Sequence, residues 1–247
     1  MDENGKIKNI VSKEYPLYFP HPGWSEQKPE DWFAQSMEGL KELLEGFDKD
    51  QVKGISFGGQ MHGLVALDKE DRVIRQAILW NDGRTSEETD YLNNVIGKDK
   101  LSQYTANIAF AGFTAPKILW MKKNEPEKFA KVVKIMLPKD YLAYRLSGSF
   151  CTDVSDASGM LLLDVKNRCW SKEMLEWKSS TSPSVALLKR PPQSFIAFLL
   201  MRGQVNRPRE KFRFKSIVPC FPARVKSRAC IFCALIATLN AVSLTFS

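Results

Sequence analysis

The first 176 residues predict an α/β protein, a mixed sheet flanked by helices, on three observations. Short apolar runs such as "VKGISF", "LVALD" and "VVKIML" have the length and β-branched content of strands. Longer segments between them place apolar residues at helical spacing. Glycine, proline and polar clusters separate the two kinds of segment, as turns and loops require.

The elements follow in order. "DENGKIKNIVSKEYPL" predicts a turn and a strand. In "HPGWSEQKPEDWFAQSMEGLKELLEGF", Pro29 suits the first turn of a helix. Phe33, Met37, Leu40, Leu44 and Phe47 recur every three or four residues and form one apolar stripe, read as core. The strand "VKGISF", the loop "FGGQMHG", the strand "LVALD", the turn "KEDR" and the strand "VIRQAILW" come next, spaced as neighbouring strands. Thr85 and Glu88 stand at capping-box spacing and open a helix that closes on Gly97. "APKILWMKKNEPEKF" predicts a helix with a break near Pro126. "VVKIML" is a strand, "PKDYLAYRLSG" a helix ending near Gly148, and "SFCTDVSDASGMLLLDV" a polar loop leading into a strand.

The formal charge of +8 points to nucleic acid or an anionic membrane until it is located. From Trp177 to Ser247 there are 12 Lys and Arg and a single acid, Glu210, so the front is mildly acidic and enzyme-like. The tail, 177–247, also holds three of the five cysteines and follows no regular period for long. It reads as a basic arm, a membrane anchor, or non-native sequence joined to a real domain. The apolar run Ala229–Ala241 is short for a spanning helix and broken by Asn240, and "CIFC" is a lone pair without partners. The abrupt change after "WSKEMLE" favours a non-native or disordered tail, with neither nucleic acid nor membrane as partner. The start has no signal-peptide pattern and the front has two cysteines, which together read as cytoplasmic.

Two loops at strand ends carry candidate chemistry. "FGGQMHG" offers exposed backbone and the donors and acceptors of Gln60 and His62, which suits an uncharged polyol. A turn histidine satisfied by its neighbours explains the spacing equally well. In "LWNDGRT", Asp82 and Arg84 follow a strand, where α/β ligand sites form, and could clamp hydroxyls; alternatively the pair shapes the turn. Asp153 and Asp156 lie in "TDVSDASG", which could coordinate a metal or line a cleft; its spacing is not that of a calcium loop, and a hydrogen-bonded turn is the simpler reading. There is no GxxxxGK[ST] or GxGxxG phosphate loop, and "SDASG" lacks the nucleophile-elbow pattern.

Several long stretches extend this reading. "ISFGGQMHGLVALDKEDRVIRQAILWNDGRT", "AFAGFTAPKILWMKKNEPEKF", "IMLPKDYLAYRLSG" and "TDVSDASGMLLLDVKNRCWS" closely resemble the xylulokinases of the FGGY carbohydrate kinase family, in order, over roughly Lys6–Glu176. The "QMHG" form resembles xylulokinase rather than glycerol kinase, whose loop typically has an Arg–Glu pair. The resemblance implies an actin-like, RNase H-like fold of two lobes with ATP and Mg2+ between them. It implies phosphoryl transfer from ATP to the terminal hydroxyl of D-xylulose, giving D-xylulose 5-phosphate in pentose catabolism, with an aspartate as general base. Met61 and His62 match the family's sugar-binding pair, Gln60 completes that loop, and Trp80, Asp82 and Arg84 match the segment beside it. The resemblance leaves room for a homodimer of the intact family member.

The departures from the family pattern matter as much. The family's opening strand with its D-x-G-T turn, and the "GGGDN"-like stretch that carries its catalytic aspartate, are not found in this sequence. The resemblance therefore assigns no catalytic residue here, and does not promote Asp153 or Asp156. It implies a sugar-binding N-terminal domain over 1–176 that lacks its first strand, followed by the basic tail. The alternatives are a non-catalytic sugar-binding fragment, or a kinase for another pentulose or polyol.

Overall fold

A computed structural model describes Asp2, residues 4–176, 199–200 and 241–246. The N-terminal turn forms, with the Gly5 N–H donating to the Asp2 carbonyl at 3.0 Å. The strand expected after it does not, and only Tyr18 makes a bridge, to Glu26. Residues 6–17 are mostly exposed and have no ladder to join.

The sheet is built from short antiparallel pairings. Strand β1 (Glu26–Gln27) pairs with β4 (Ala77–Ile78), and β3 (Val65–Leu67) pairs with β5 (Lys134–Met136). A bridge between Leu64 and Ile78 joins the two pairs into a ladder ordered β1, β4, β3, β5. The strand expected over 73–80 shrinks to β4, because Val73 and Ile74 turn to bond Leu67 and Ala66 instead. A hairpin of β6 (Leu163–Asp164) and β7 (Cys169–Trp170) stands apart.

Strand β2 (Val52–Gly58) pairs on its two sides with β8 (Leu199–Leu200) and β9 (Ala241–Phe246), both antiparallel. Both belong to the tail, whose composition reads as non-native or disordered. At these strands the backbone does pair, since a strand edge with no other described partner is a template for any extended segment. The rest of that expectation lies outside the described residues.

Helix α1 (Pro29–Leu43) starts on Pro29, whose missing N–H is one that a helix start leaves unpaired anyway. Its buried anchor is Trp32, whose indole donates to Gln27 Oε1 at 3.1 Å and meets the Tyr141 ring edge-on. The predicted stripe is half-buried rather than core. Leu40, Leu44 and Phe47 cover the small pair Val52 and Ile55, and Phe33 lies under the Arg145 guanidinium.

Helix α2 (Ser86–Tyr91) widens into a π-helical turn, Leu92–Gly97, before α3 (Lys98–Thr105). Gly97 makes the junction with φ 95°, a conformation glycine adopts without a Cβ penalty. The predicted capping box is not formed. The Thr85 hydroxyl donates instead to the Ala111 carbonyl at 2.9 Å, and Glu88 is buried with its carboxyl pushed up by burial.

Helices α4 (Thr114–Asn124) and α5 (Pro126–Phe129) break at Glu125 as expected. Helix α6 (Pro138–Ser147) ends on left-handed Gly148. The short α7 (Val154–Ala157) and a 3-10 turn, Ser158–Met160, precede β6, and α8 (Lys172–Glu176) follows β7. The main core lies between this helical layer and the ladder, around Leu64, Ile78, Leu101, Met121, Leu137 and Leu161. Among the described residues, no helix is long and apolar enough to cross a membrane.

Candidate functional site

The loop between β2 and β3 folds on a tight reversal. The Gly63 N–H donates to the Met61 carbonyl at 2.9 Å, closing a three-residue γ-turn with His62 at its centre. His62 has φ 68°, and γ-turns with positive φ are rare and strained. Such strain persists only where the surroundings enforce it. Here they do. A Cβ at Gly63 would come within 2.6 Å of the Pro138 ring, so glycine lets α6 press against the loop. The His62 carbonyl accepts from Thr114 Oγ1 at 3.1 Å.

The half-buried imidazole has defined walls. Its Nδ1 lies 3.1 Å from the Gly159 carbonyl oxygen, and a Cβ on Gly159 would overlap the ring. The Phe113 ring lies alongside, with centroids 4.8 Å apart and planes tilted by 30°. Burial lowers the imidazole's affinity for a second proton. The Lys117 charge acts the same way, while the Gly159 carbonyl and Asp156 oppose it.

Met61 projects to the surface, 36% exposed, and Trp80 is 53% exposed. Gln60 turns inward, donating to Gln27 Oε1 at 2.9 Å.

Two lysines frame the loop. Lys117 has no exposed surface and donates to the carbonyls of Ala111, Gly112 and Phe113. Its pKa falls to about 7, chiefly through burial. The ammonium thus gathers the segment that carries Phe113, and the same segment rests on the Trp80 carbonyl, 2.8 Å from where a Gly112 Cβ would stand. Lys139 pairs with Asp140 at 3.1 Å, with Asp156 at 3.0 Å, and with Asp153. Asp153 Oδ1 also caps α7 by accepting from the Asp156 N–H at 3.0 Å. The turn reading of this segment describes its geometry, with the addition of the shared lysine.

Of the two readings of Asp82 and Arg84, a hydroxyl clamp or a pair that shapes the turn, the geometry bears on the second: their side chains have no exposed surface. Asp82 accepts from the Ser25 N–H at 2.6 Å and from Arg84 Nε and Nη2 at 2.8 and 2.7 Å. Arg84 also pairs with Glu26 at 2.7 Å, and Glu26 with Arg75. The Arg84 guanidinium stacks over Trp24 at 3.7 Å and Trp120 at 4.8 Å. A charged pair closed on itself and desolvated this way shapes the turn beneath Trp80.

The structure thus keeps Met61 and Trp80 at the surface, holds His62 half-buried, and turns Gln60, Asp82 and Arg84 into the framework. Gly159, Phe113, Lys117 and Lys139 were not singled out from the sequence. The one legible hint was three aspartates, at 140, 153 and 156, with a lysine adjacent to the first.

Among the described residues, no group of three or more His, Cys, Asp or Glu side chains is placed to hold a metal ion. The nearest candidate, the three aspartates, is occupied by the Lys139 ammonium. These residues do not form a Mg2+ site by themselves.

Comparison with known proteins bears on all of this. The profile of the FGGY family of carbohydrate kinases, N-terminal domain, matches residues 1–188. The xylulose kinase of Lactococcus lactis is 46% identical over 179 residues, covering 71% of this chain and 35% of its own length. That of Bacillus subtilis is 44% identical over 176 residues, covering 70% and 35%. A xyloylose kinase structure from Brucella ovis superposes with TM-score 0.64 at 42% identity, covering 67% of this chain and 34% of that one. A ligand-bound xylulose kinase from Lactobacillus acidophilus gives TM-score 0.68 at 28% identity, covering 75% and 37%. The chain spans 35–38% of the length of the curated relatives it matches. With a family profile over most of its length and the actin-like neighbours that its α/β core superposes on, the chain belongs to the FGGY family of carbohydrate kinases.

Proposed function

We propose that this chain supplies the sugar-binding part of a xylulose kinase, which transfers a phosphoryl group from ATP, with Mg2+, to D-xylulose in the cytoplasm. The observation that carries the reading is the "QMHG" loop. It holds His62 at a strained turn with defined walls, between the exposed Met61 side chain and the Gly159 carbonyl. The identity of 40–46% to xylulose kinases supports the choice of sugar. In this reading Met61 and Trp80 give apolar contact to the carbon face of the sugar, and His62 hydrogen-bonds one hydroxyl. Gln60, Asp82 and Arg84 hold the loops that present them. ATP supplies the transferred phosphoryl group and the metal its charge neutralisation; the described residues bind and orient the acceptor sugar. The sugar-binding unit is taken as residues 1–176, with 177–247 as a separate tail.

Calorimetric titration of the full chain with D-xylulose tests this. Binding is expected, and His62→Ala should weaken it five- to thirty-fold, the equivalent of about 1–2 kcal/mol for a lost hydrogen bond. A folded chain that takes up no D-xylulose, or a folded His62→Ala variant with native affinity, removes the reading.

A further inference from the structure

We propose that Lys139 is a positioning residue for His62: acting through Asp153, Asp156 and the Gly159 carbonyl, it locks the imidazole in the Nδ1–H tautomer and leaves Nε2 as a hydrogen-bond acceptor.

The lock follows from the partner of Nδ1. A carbonyl oxygen only accepts, so a ring nitrogen bonded to it at 3.1 Å carries the hydrogen. In a neutral imidazole the other nitrogen then has the lone pair. The ring is kept neutral near pH 7 because burial and Lys117, on α4, outweigh Asp156, on α7, and the Gly159 carbonyl. It has little room to flip. Phe113 lies along it, Gly159 abuts its edge, and the γ-turn fixes its backbone.

The Gly159 carbonyl is itself only as well placed as the segment that carries it. That segment is a four-residue helix and a three-residue 3-10 turn, too short to be stable alone. Its ties to the rest of the molecule include the bond from Asn107 Nδ2 to the Ser158 carbonyl at 3.1 Å. The charged tie is Lys139, which reaches both Asp153, the cap of α7, and Asp156, one turn later. Lys139 can act as an anchor because α6 is well embedded, with Tyr141, Leu142 and Leu146 buried. Without its ammonium, Asp153 and Asp156 repel each other and the segment bearing Gly159 loses its attachment.

The consequence for ligand chemistry rests on the sugar-binding reading above. An acceptor nitrogen takes a hydrogen from a hydroxyl and offers nothing to a carboxylate or phosphate. This position therefore favours a sugar hydroxyl over a carboxylate or phosphate oxygen at the point that Nε2 faces.

The test is the long-range 1H–15N spectrum of the 15N-labelled full chain near pH 7.5. Only His21 and His62 contribute imidazole signals, and His62→Ala assigns them. The expected His62 pattern is a pyrrole-type Nδ1 and a pyridine-type Nε2. Lys139→Met should give a mixture of tautomers and weaken D-xylulose binding, and Lys139→Arg should restore both. Asp156→Asn, which keeps volume and removes one of the carboxylates that Lys139 holds, should also mix the tautomers, and it decides the matter if Lys139→Met does not fold. A native Nε2–H pattern, or unchanged His62 signals in folded Lys139→Met or, failing that, in Asp156→Asn, overturns the proposal. The spectra need no sugar, so failure of D-xylulose to bind would sink the functional reading without touching the tautomer assignment.

Discussion

Arg84 has a guanidinium clasped by Asp82 and Glu26 and packed against the rings of Trp24 and Trp120. Breaking a buried pair leaves its partners charged and unsolvated. Arg84→Ala is therefore expected to destabilise the domain by about 3–5 kcal/mol. Thermal unfolding checks this; a native Tm with only sugar affinity reduced would show that Arg84 belongs to the ligand. The sequence showed an aspartate and an arginine two residues apart, but not the two tryptophans that bury them, which lie at positions 24 and 120. Fold alone brings those together, so the choice between clamp and turn was not legible. Asp140 makes a second case. Burial raises its carboxyl from 3.8 to about 6, while Lys139 pulls the other way. A raised carboxyl binds its proton more tightly in the folded state, so its contribution to stability is full below 3.8 and is lost as pH rises through about 6. Asp140→Asn removes that titration. The variant's Tm should gain on the wild type between pH 4 and pH 6, by the equivalent of at most about 3 kcal/mol at 1.36 kcal/mol per pKa unit. Parallel Tm profiles would show that Asp140 does not titrate this way.

At the scale of elements, the helices were the legible part. Pro29, Pro126 and Gly148 mark the boundaries of α1, α5 and α6 by backbone chemistry that needs no tertiary partner. The strands were less so. The run 73–80 has strand composition, but its length in the ladder is set by which neighbours bond, and only Ala77–Ile78 qualify as β4. Thr85 and Glu88 have capping-box spacing, yet the Thr85 hydroxyl makes no cap and instead donates to the Ala111 carbonyl. That carbonyl belongs to the segment that Lys117 gathers from α4, and the segment's order therefore depends on one buried side chain. Lys117→Met fills similar volume but leaves the Gly112 and Phe113 carbonyls without their ammonium. Each buried acceptor left unpaired costs about 1–3 kcal/mol, offset in part because an ammonium no longer has to be desolvated. The expected result is a lower Tm together with a changed His62 environment in NMR spectra, since Phe113 would no longer be held against the ring. A native Tm and native His62 signals would show that the helix start at Thr114 holds the segment without Lys117.

For the molecule as a whole, binding and turnover separate. In the proposed reading His62 faces a sugar hydroxyl, and among the described residues the nearby carboxylates are engaged by other side chains. Asp153 and Asp156 are tied to Lys139, and Asp82 is enclosed by Arg84 and Ser25. Nor do they form a metal site. Phosphoryl transfer depends on holding the donor phosphates, the metal and the attacking hydroxyl in line, so positioning supplies most of the rate. A general base alone accounts for about 10²–10⁴-fold. In the proposed reading, a chain spanning 35–38% of the length of its curated relatives supplies the acceptor side of that arrangement. The 247-residue chain is therefore expected to bind D-xylulose while releasing no ADP above the blank in a coupled assay with ATP and Mg2+. Adding the remaining two-thirds of a related xylulose kinase as a separate polypeptide should restore turnover only if β2 and the loop that follows it keep their geometry. ADP release by the purified chain alone would place a base and a phosphate site within these residues, and would make Asp153 and Asp156 the first carboxylates to substitute.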